Sequence, residues 1–193
     1  MVKPLRIGVT GTHSTGKSTF CEAVRRVCEA RGLRVGAVGS PGQAARDLGF
    51  PILRDHTFES TMWIIAKTIG GELESGLKAD VVLADRAVID AVGYWMAALK
   101  TRNETPDPAH LKLVSNFVAD YSRTYEILFM TVLDPGLPLG AGRKRDQDAA
   151  FRVLAGESIA SAVRHTGLSV IELRPETFDA CVSRCVDAAR RFG

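Results

Sequence analysis

Gly11-Thr12-His13-Ser14-Thr15-Gly16-Lys17-Ser18-Thr19 follows the pattern G-x-x-x-x-G-K-[ST], and each residue type in it suits a polyphosphate. Glycines let the backbone close into a compact loop whose N–H groups point inward at phosphate oxygens. Lys17 reaches the β- and γ-phosphates, and the Ser18 hydroxyl is a ligand for Mg²⁺. A helix beginning at Lys17 aims the positive end of its dipole at the same anion. The stretch therefore reads as the phosphate-binding loop of a domain that hydrolyses or transfers nucleotide phosphate. Its nucleotide contacts are Gly11, His13, Ser14, Thr15, Gly16, Lys17, Ser18 and Thr19.

Three other groups carry chemistry. Asp85 and Arg86 end the apolar run Asp80–Arg86. A strand-end acid beside the first strand holds Mg²⁺ directly or through water, so Asp85 joins Ser18 as a metal candidate; the plainer alternative is a cap on the next helix. Asp90, one turn beyond Arg86, is either its partner behind the site or an exposed mate. Gln43 and Arg46 lie just past the second strand, where parallel sheets place their ligands, unless they form only a solvated first helical turn. The third group is the glycine- and proline-rich stretch at 136–147 with Arg143-Lys144-Arg145. It is expected to be a mobile lid that closes over a triphosphate and brings Arg143 or Arg145 to the transferring group, the alternative being a surface loop. Arg152, two helical turns on, is placed to face the same way.

The elements that must position these residues follow from apolar spacing. Leu5–Thr10 reads as a buried strand, and Phe20, Val24, Val27 and Cys28 form one face of the helix after the loop, which stops at Gly32. A second strand is predicted at 33–38. A helix follows at 56–75, with a stripe of Phe58, Met62, Ile65, Ile69 and Leu73. Strands at 80–86, 126–132 and 168–173 alternate with helices at 87–100, at 109–123 and from 176 onward. The last of these carries Phe178, Cys181, Val182, Cys185, Val186, Ala189 and Phe192 on its apolar face. Five strands alternating with helices predict an α/β domain of three layers.

The 193 residues suit one compact domain, 1–193. A net charge of +3, from 25 basic and 22 acidic side chains, allows an anionic small molecule and argues against a nucleic-acid partner without excluding one. No run of about eighteen apolar residues suggests a membrane span, and the first strand leaves no room for a leader, so a cytoplasmic location is expected. The 4 cysteines read as reduced thiols; Cys181 and Cys185 share a helix face but lack the other ligands of a metal site.

With the phosphate loop, the Asp85-Arg86 pair and the arginine-bearing lid in this order, the chain resembles the small P-loop kinases of nucleosides and nucleotides. It is most similar to the group containing the nicotinamide-riboside-kinase domain and related ATPases, with thymidylate kinase more distant. The resemblance spans nearly the whole chain, although only the phosphate loop is highly specific. It implies a P-loop NTPase α/β/α sandwich with a five-stranded parallel sheet, and an ATP- and Mg²⁺-dependent kinase with a nucleoside-like acceptor. A homodimer is compatible with the sequence. Lys17, Asp85, Arg143 and Arg145 would be catalytic, and Gln43, Arg46 and Arg86 would hold the acceptor.

Two departures from the resemblance stand out. Relatives commonly carry Glu-x-x-Arg after the second strand, whereas this chain has Gln43-Ala44-Ala45-Arg46, and an amide accepts no proton. Either Asp85 takes the base role, proton abstraction matters little in a loose transition state, or kinase activity has been lost. An acidic-Gly pair often precedes the first lid arginine, and here Ala141-Gly142 precedes Arg143. Two rival functions are a nucleotide switch or ATPase acting on a protein partner, and a kinase with a polynucleotide acceptor. The chain has no Asn/Thr-Lys-x-Asp guanine signature, which favours ATP over GTP.

Overall fold

The computed structural model describes residues 3–133 and 148–192, with side chains through 191. Its strands are β1 (Leu5–Thr10), β2 (Val35–Val38), β3 (Val81–Asp85), β4 (Ile127–Thr131) and β5 (Ile171–Leu173). They form one parallel sheet in the order β2-β3-β1-β4-β5, with β1 at its centre. Its helices are α1 (Lys17–Glu29), α2 (Gly42–Asp47), α3 (Phe58–Gly76), α4 (Ile89–Thr101), α5 (Pro108–Ser122), α6 (Ala149–Thr166) and α7 (Phe178–Phe192).

Alternation along the strands builds two cores. Leu5, Ile7 and Val9 of β1, Val81 and Leu83 of β3, and Phe129 of β4 pack with Phe20 and Val24 of α1 and Val182 and Cys185 of α7. Ala84 and Leu128 face the other way, into a cluster with Ile65 of α3, Val92 of α4, Val114 of α5 and Ile159 of α6. Both faces of the sheet are therefore covered, as a parallel sheet requires. The expected five-stranded α/β/α sandwich is what the chain forms.

Helix α4 is buried nearly along its whole length. Its close approach to α6 depends on Gly93, where an added Cβ would lie 2.3 Å from Cγ1 and 2.7 Å from Cα of Ile159. That contact fixes the helix carrying Asp90 and Tyr94 beneath the phosphate loop.

Three sequence expectations change. Strands β2 and β5 are shorter than predicted, β5 being an edge strand that pairs only with Phe129–Thr131. Of the predicted α3 stripe, Ile65 is buried and Phe58, Met62 and Ile69 pack partly buried against the core, but Leu73 is 50% exposed, and Ser60, Thr61, Thr68 and Glu72 are buried as well. The two threonines satisfy their hydroxyls on the carbonyls four residues back, 2.8 and 2.9 Å away. Glu72 is fully buried because the hydroxyls of Tyr121 and Tyr125 donate to its two oxygens at 2.9 and 2.8 Å, even though burial pushes its carboxyl upward. Apolar spacing misses such a face because polar groups paired inside the protein bury as well as carbon does. Cys21, Cys28, Cys181 and Cys185 are all buried free thiols. Among the described residues no metal-ligating cluster of three or more His, Cys, Asp or Glu occurs, and no helix is long and apolar enough to cross a membrane.

Candidate active site

The phosphate loop leaves β1 at Gly11, whose φ of 134° and close approach to Thr131 both demand glycine: a Cβ there would fall 2.0 Å from Thr131 Oγ1. Gly16, with φ 85°, caps the start of α1. Between them the Thr15 and Thr131 hydroxyls lie 2.6 Å apart, and Thr131 donates on to the Thr10 carbonyl at 3.2 Å. Lys17 is buried, and its Nζ donates to the carbonyl of Gly11 at 2.7 Å and to that of Thr12. Burial, aided by the nearby Arg86, lowers its pKa from 10.5 to about 7. An ammonium held there by neutral carbonyls gains most from an incoming anion.

Asp85 stands beside this loop because β3 runs parallel to β1 in a register that pairs Asp85 with Val9. Its Oδ2 accepts the Ser18 hydroxyl at 2.5 Å. It does not cap the next helix, whose N-cap is Val88 with no side-chain hydrogen bond. A hydroxyl joined to a carboxylate fits Mg²⁺, which takes one or two protein oxygens and completes its shell with water and substrate phosphate.

Arg86 follows with φ 104°, a conformation few side-chain-bearing residues adopt. The Val9 carbonyl pins it by accepting from the N–H of Arg86 at 3.2 Å and of Ala87 at 3.1 Å. The guanidinium lies 5.3 Å from the centre of the Tyr94 ring and donates to the Tyr94 hydroxyl at 3.2 Å and to Asp90 at 3.4 Å. Asp90 is buried, so it is a partner behind the site and not an exposed mate. Its Oδ1 accepts from the Gly11 N–H at 3.0 Å and from the Thr10 hydroxyl. Burial pushes the Asp90 carboxyl upward, and Lys17 and Arg86 oppose that shift.

Tyr94 connects the two halves. Its oxygen accepts from the His13 backbone N–H at 3.0 Å as well as from Arg86, which leaves its own hydrogen for His13 Nδ1, also 3.0 Å away.

These groups meet in one cavity of about 1050 Å³. Loop residues His13 to Thr19 form one wall, and Gln43, Arg46, Asp85 and Arg86 approach from the strand ends. Gly11 stands behind the wall and shapes it. The Gln43 amide donates to Asp47 at 2.7 Å. The Arg46 side chain is exposed, lines the cavity and has no hydrogen bond or ion pair among the described residues. Ile52, Leu53, Ile64 and Val88 give the cavity an apolar part, together with His56. His56 is buried, and its burial beside Arg102 lowers its pKa from 6.5 to about 4, so it is neutral.

Arg143, Arg145 and the rest of the predicted lid, 136–147, lie outside the described residues. Arg152 is buried in α6, and its carbonyl accepts from the Thr12 hydroxyl at 3.1 Å; its expected alignment with Arg145 falls on residues outside the described ones. Sequence reasoning missed Tyr94, Thr10, Thr131 and His56. A signal for Tyr94 existed, since Arg86, Asp90 and Tyr94 recur every fourth residue and so share a helical face. The others are placed only by contacts between distant segments.

No family model matches the sequence, and no curated relative matches it either. Solved structures do match in fold. Thymidylate kinase from Ehrlichia chaffeensis superposes with a TM-score of 0.60 at 15% identity, covering 96% of this chain and 98% of that one. Deoxyadenosine kinase from M. mycoides with bound dATP superposes with a TM-score of 0.60 at 10% identity, covering 97% of each chain. The same enzyme with dCMP and dCDP bound gives 0.61 at 10% identity, over 97% of this chain and 100% of that one. The chain thus has the fold of the P-loop nucleoside and nucleotide kinases. The narrower likeness to nicotinamide-riboside kinases stays an expectation from sequence.

Proposed function

We propose that this chain is an ATP- and Mg²⁺-dependent phosphotransferase that moves the γ-phosphate of ATP to a nucleoside, a nucleotide or a similar small acceptor. The observation that carries the proposal is the shared cavity. A buried lysine, a Ser18–Asp85 pair, Arg46, Arg86 and the apolar residues Ile52, Leu53, Ile64 and Val88 all line it. Lys17 and the loop N–H groups bind the β- and γ-phosphates of the donor. Ser18 and Asp85 would hold Mg²⁺, which supplies charge neutralisation on the donor phosphates when bound. Arg46 and Arg86 grip and orient the acceptor, and the apolar part of the cavity excludes water that would otherwise compete with it. As the acceptor oxygen bonds to the γ-phosphorus, the bridging P–O bond breaks and its electron pair leaves with ADP. Full-length folds at similar coverage in kinases of thymidylate and deoxyadenosine support the assignment.

The test is a panel of nucleosides and nucleotides incubated with γ-labelled ATP and Mg²⁺, with labelled products separated by chromatography. Label should pass to at least one acceptor, and Lys17→Ala should abolish transfer while leaving the protein folded. ADP release that no acceptor changes would overturn the proposal and favour a nucleotide switch.

A further inference from the structure

Transfer to a hydroxyl differs from transfer to a phosphate in what happens to a proton. A hydroxyl oxygen must lose its hydrogen as the new bond to phosphorus forms, so a base has to stand within hydrogen-bond reach. A phosphate monoester has a second pKa of about 6 and presents a deprotonated oxygen at neutral pH.

The described lining of the cavity has little to offer as that base. The carboxylates among its described lining residues are Asp85 and Asp90. Asp85 accepts the Ser18 hydroxyl, and Asp90 is buried beneath Thr10, Gly11 and Arg86. Gln43 is an amide already donating to Asp47. His13 Nδ1 is engaged by the Tyr94 hydroxyl 3.0 Å away, and His56 is a weak base through its burial. Cations are better supplied. Lys17, Arg46 and Arg86 all line the cavity, and Arg46 has no partner among the described residues.

We infer that the acceptor atom is the anionic oxygen of a phosphate monoester, so that the substrate is a nucleoside monophosphate or a close analogue; this rests on the phosphotransferase reading above. The monoester oxygen bonds to the γ-phosphorus, the β,γ-bridging P–O bond breaks, and ADP departs with the electron pair. No proton moves. The acceptor becomes a diphosphate. Arg46 and Arg86 receive the acceptor phosphate, a group that a guanidinium fork matches with two parallel hydrogen bonds.

Matched pairs test this: adenosine with AMP, cytidine with CMP, and thymidine with dTMP. Calorimetry with the phosphate loop saturated by β,γ-imido-ATP and Mg²⁺ should show each preferred monophosphate binding at least about tenfold more tightly than its nucleoside. Arg46→Ala should erase most of that preference without lowering the melting temperature, and Arg46→Lys should restore part of it. Turnover should favour the monophosphate by about 100-fold or more in kcat/KM. Equal or tighter binding of the nucleoside, or transfer to its hydroxyl, overturns the inference and leaves the phosphotransferase reading intact. A monophosphate preference in binding with no transfer to any acceptor overturns that reading and leaves the anion site standing.

Discussion

The hydroxyl of Ser18, in the first turn of α1, donates to Oδ2 of Asp85, at the end of β3, across 2.5 Å. The two residues lie 67 positions apart in the chain, and the β1–β3 register brings them together. Asp85→Asn keeps a hydrogen bond to Ser18 but removes the charge. It should lower kcat by about 100-fold and raise the Mg²⁺ concentration needed for half-maximal rate by about tenfold, with folding unchanged. An Mg²⁺ titration of the variant that overlays the wild type would rule out a role at the metal.

The burial of Lys17 predicts that the donor binds with uptake of a proton. With its folded pKa at about 7 against 10.5 unfolded, the unfolded chain holds this proton between those pH values and the folded chain does not. Its contribution to stability therefore rises with pH across that window. A triphosphate beside the amine restores the charge, so ATP binding at pH 8 should take up close to one proton, and uptake should vanish near pH 6. Calorimetry in HEPES and Tris, whose ionisation heats differ, reads this directly. Lys17→Met should remove the buffer dependence, and a wild-type heat that ignores buffer identity would contradict the assignment.

His56 has the opposite experimental window. Its folded pKa of about 4 lies below the unfolded 6.5, so the unfolded chain gains a proton first as pH falls. The stability tied to this group is fully present above pH 6.5 and is lost on acidification toward pH 4. The full loss is about 3 kcal/mol. His56→Phe should flatten the denaturation midpoint between pH 6.5 and 4, as chemical denaturation at several pH values would show; an unchanged acid limb would place the sensitivity elsewhere.

Arg86 combines a needed cation with a strained backbone, φ being 104°. Arg86→Gly relieves the strain and Arg86→Ala keeps it, so the glycine variant should be the more stable by about 1 kcal/mol, the reverse of the usual order. Both variants should raise the KM for the acceptor by tenfold or more, because both lose the guanidinium. Thermal melts rank the pair, and an alanine variant as stable as the glycine one would mean the backbone there carries no strain.

The phosphate loop, the alternation of strands with helices, and Asp85 at a strand end could be read from the sequence because each depends on neighbours in the chain. Loop closure needs glycines at fixed short spacing, and a parallel sheet advertises itself through short apolar runs between amphipathic helices. The burial of Asp90, left open between two readings, and that of Glu72 were not legible in this way. Both are carboxylates at positions that solvent would ordinarily claim, and their burial rests on partners 79 and about 50 residues away in sequence. Tyr94 looked like any core aromatic of an apolar helix until its hydroxyl met His13 and Arg86.

What the sequence determined by itself was the chemistry of the donor side: a phosphate cradle, its lysine and its serine, fixed by contacts within a few residues. Packing between distant segments settled which charges are already committed. Asp85 is turned to Ser18, Asp90 is sealed under the loop, and Arg46 faces the cavity with no partner among the described residues. The physical reason is that a side chain's availability depends on desolvation and on hydrogen-bond partners. Both are set by packing between segments that the order of residues does not place side by side.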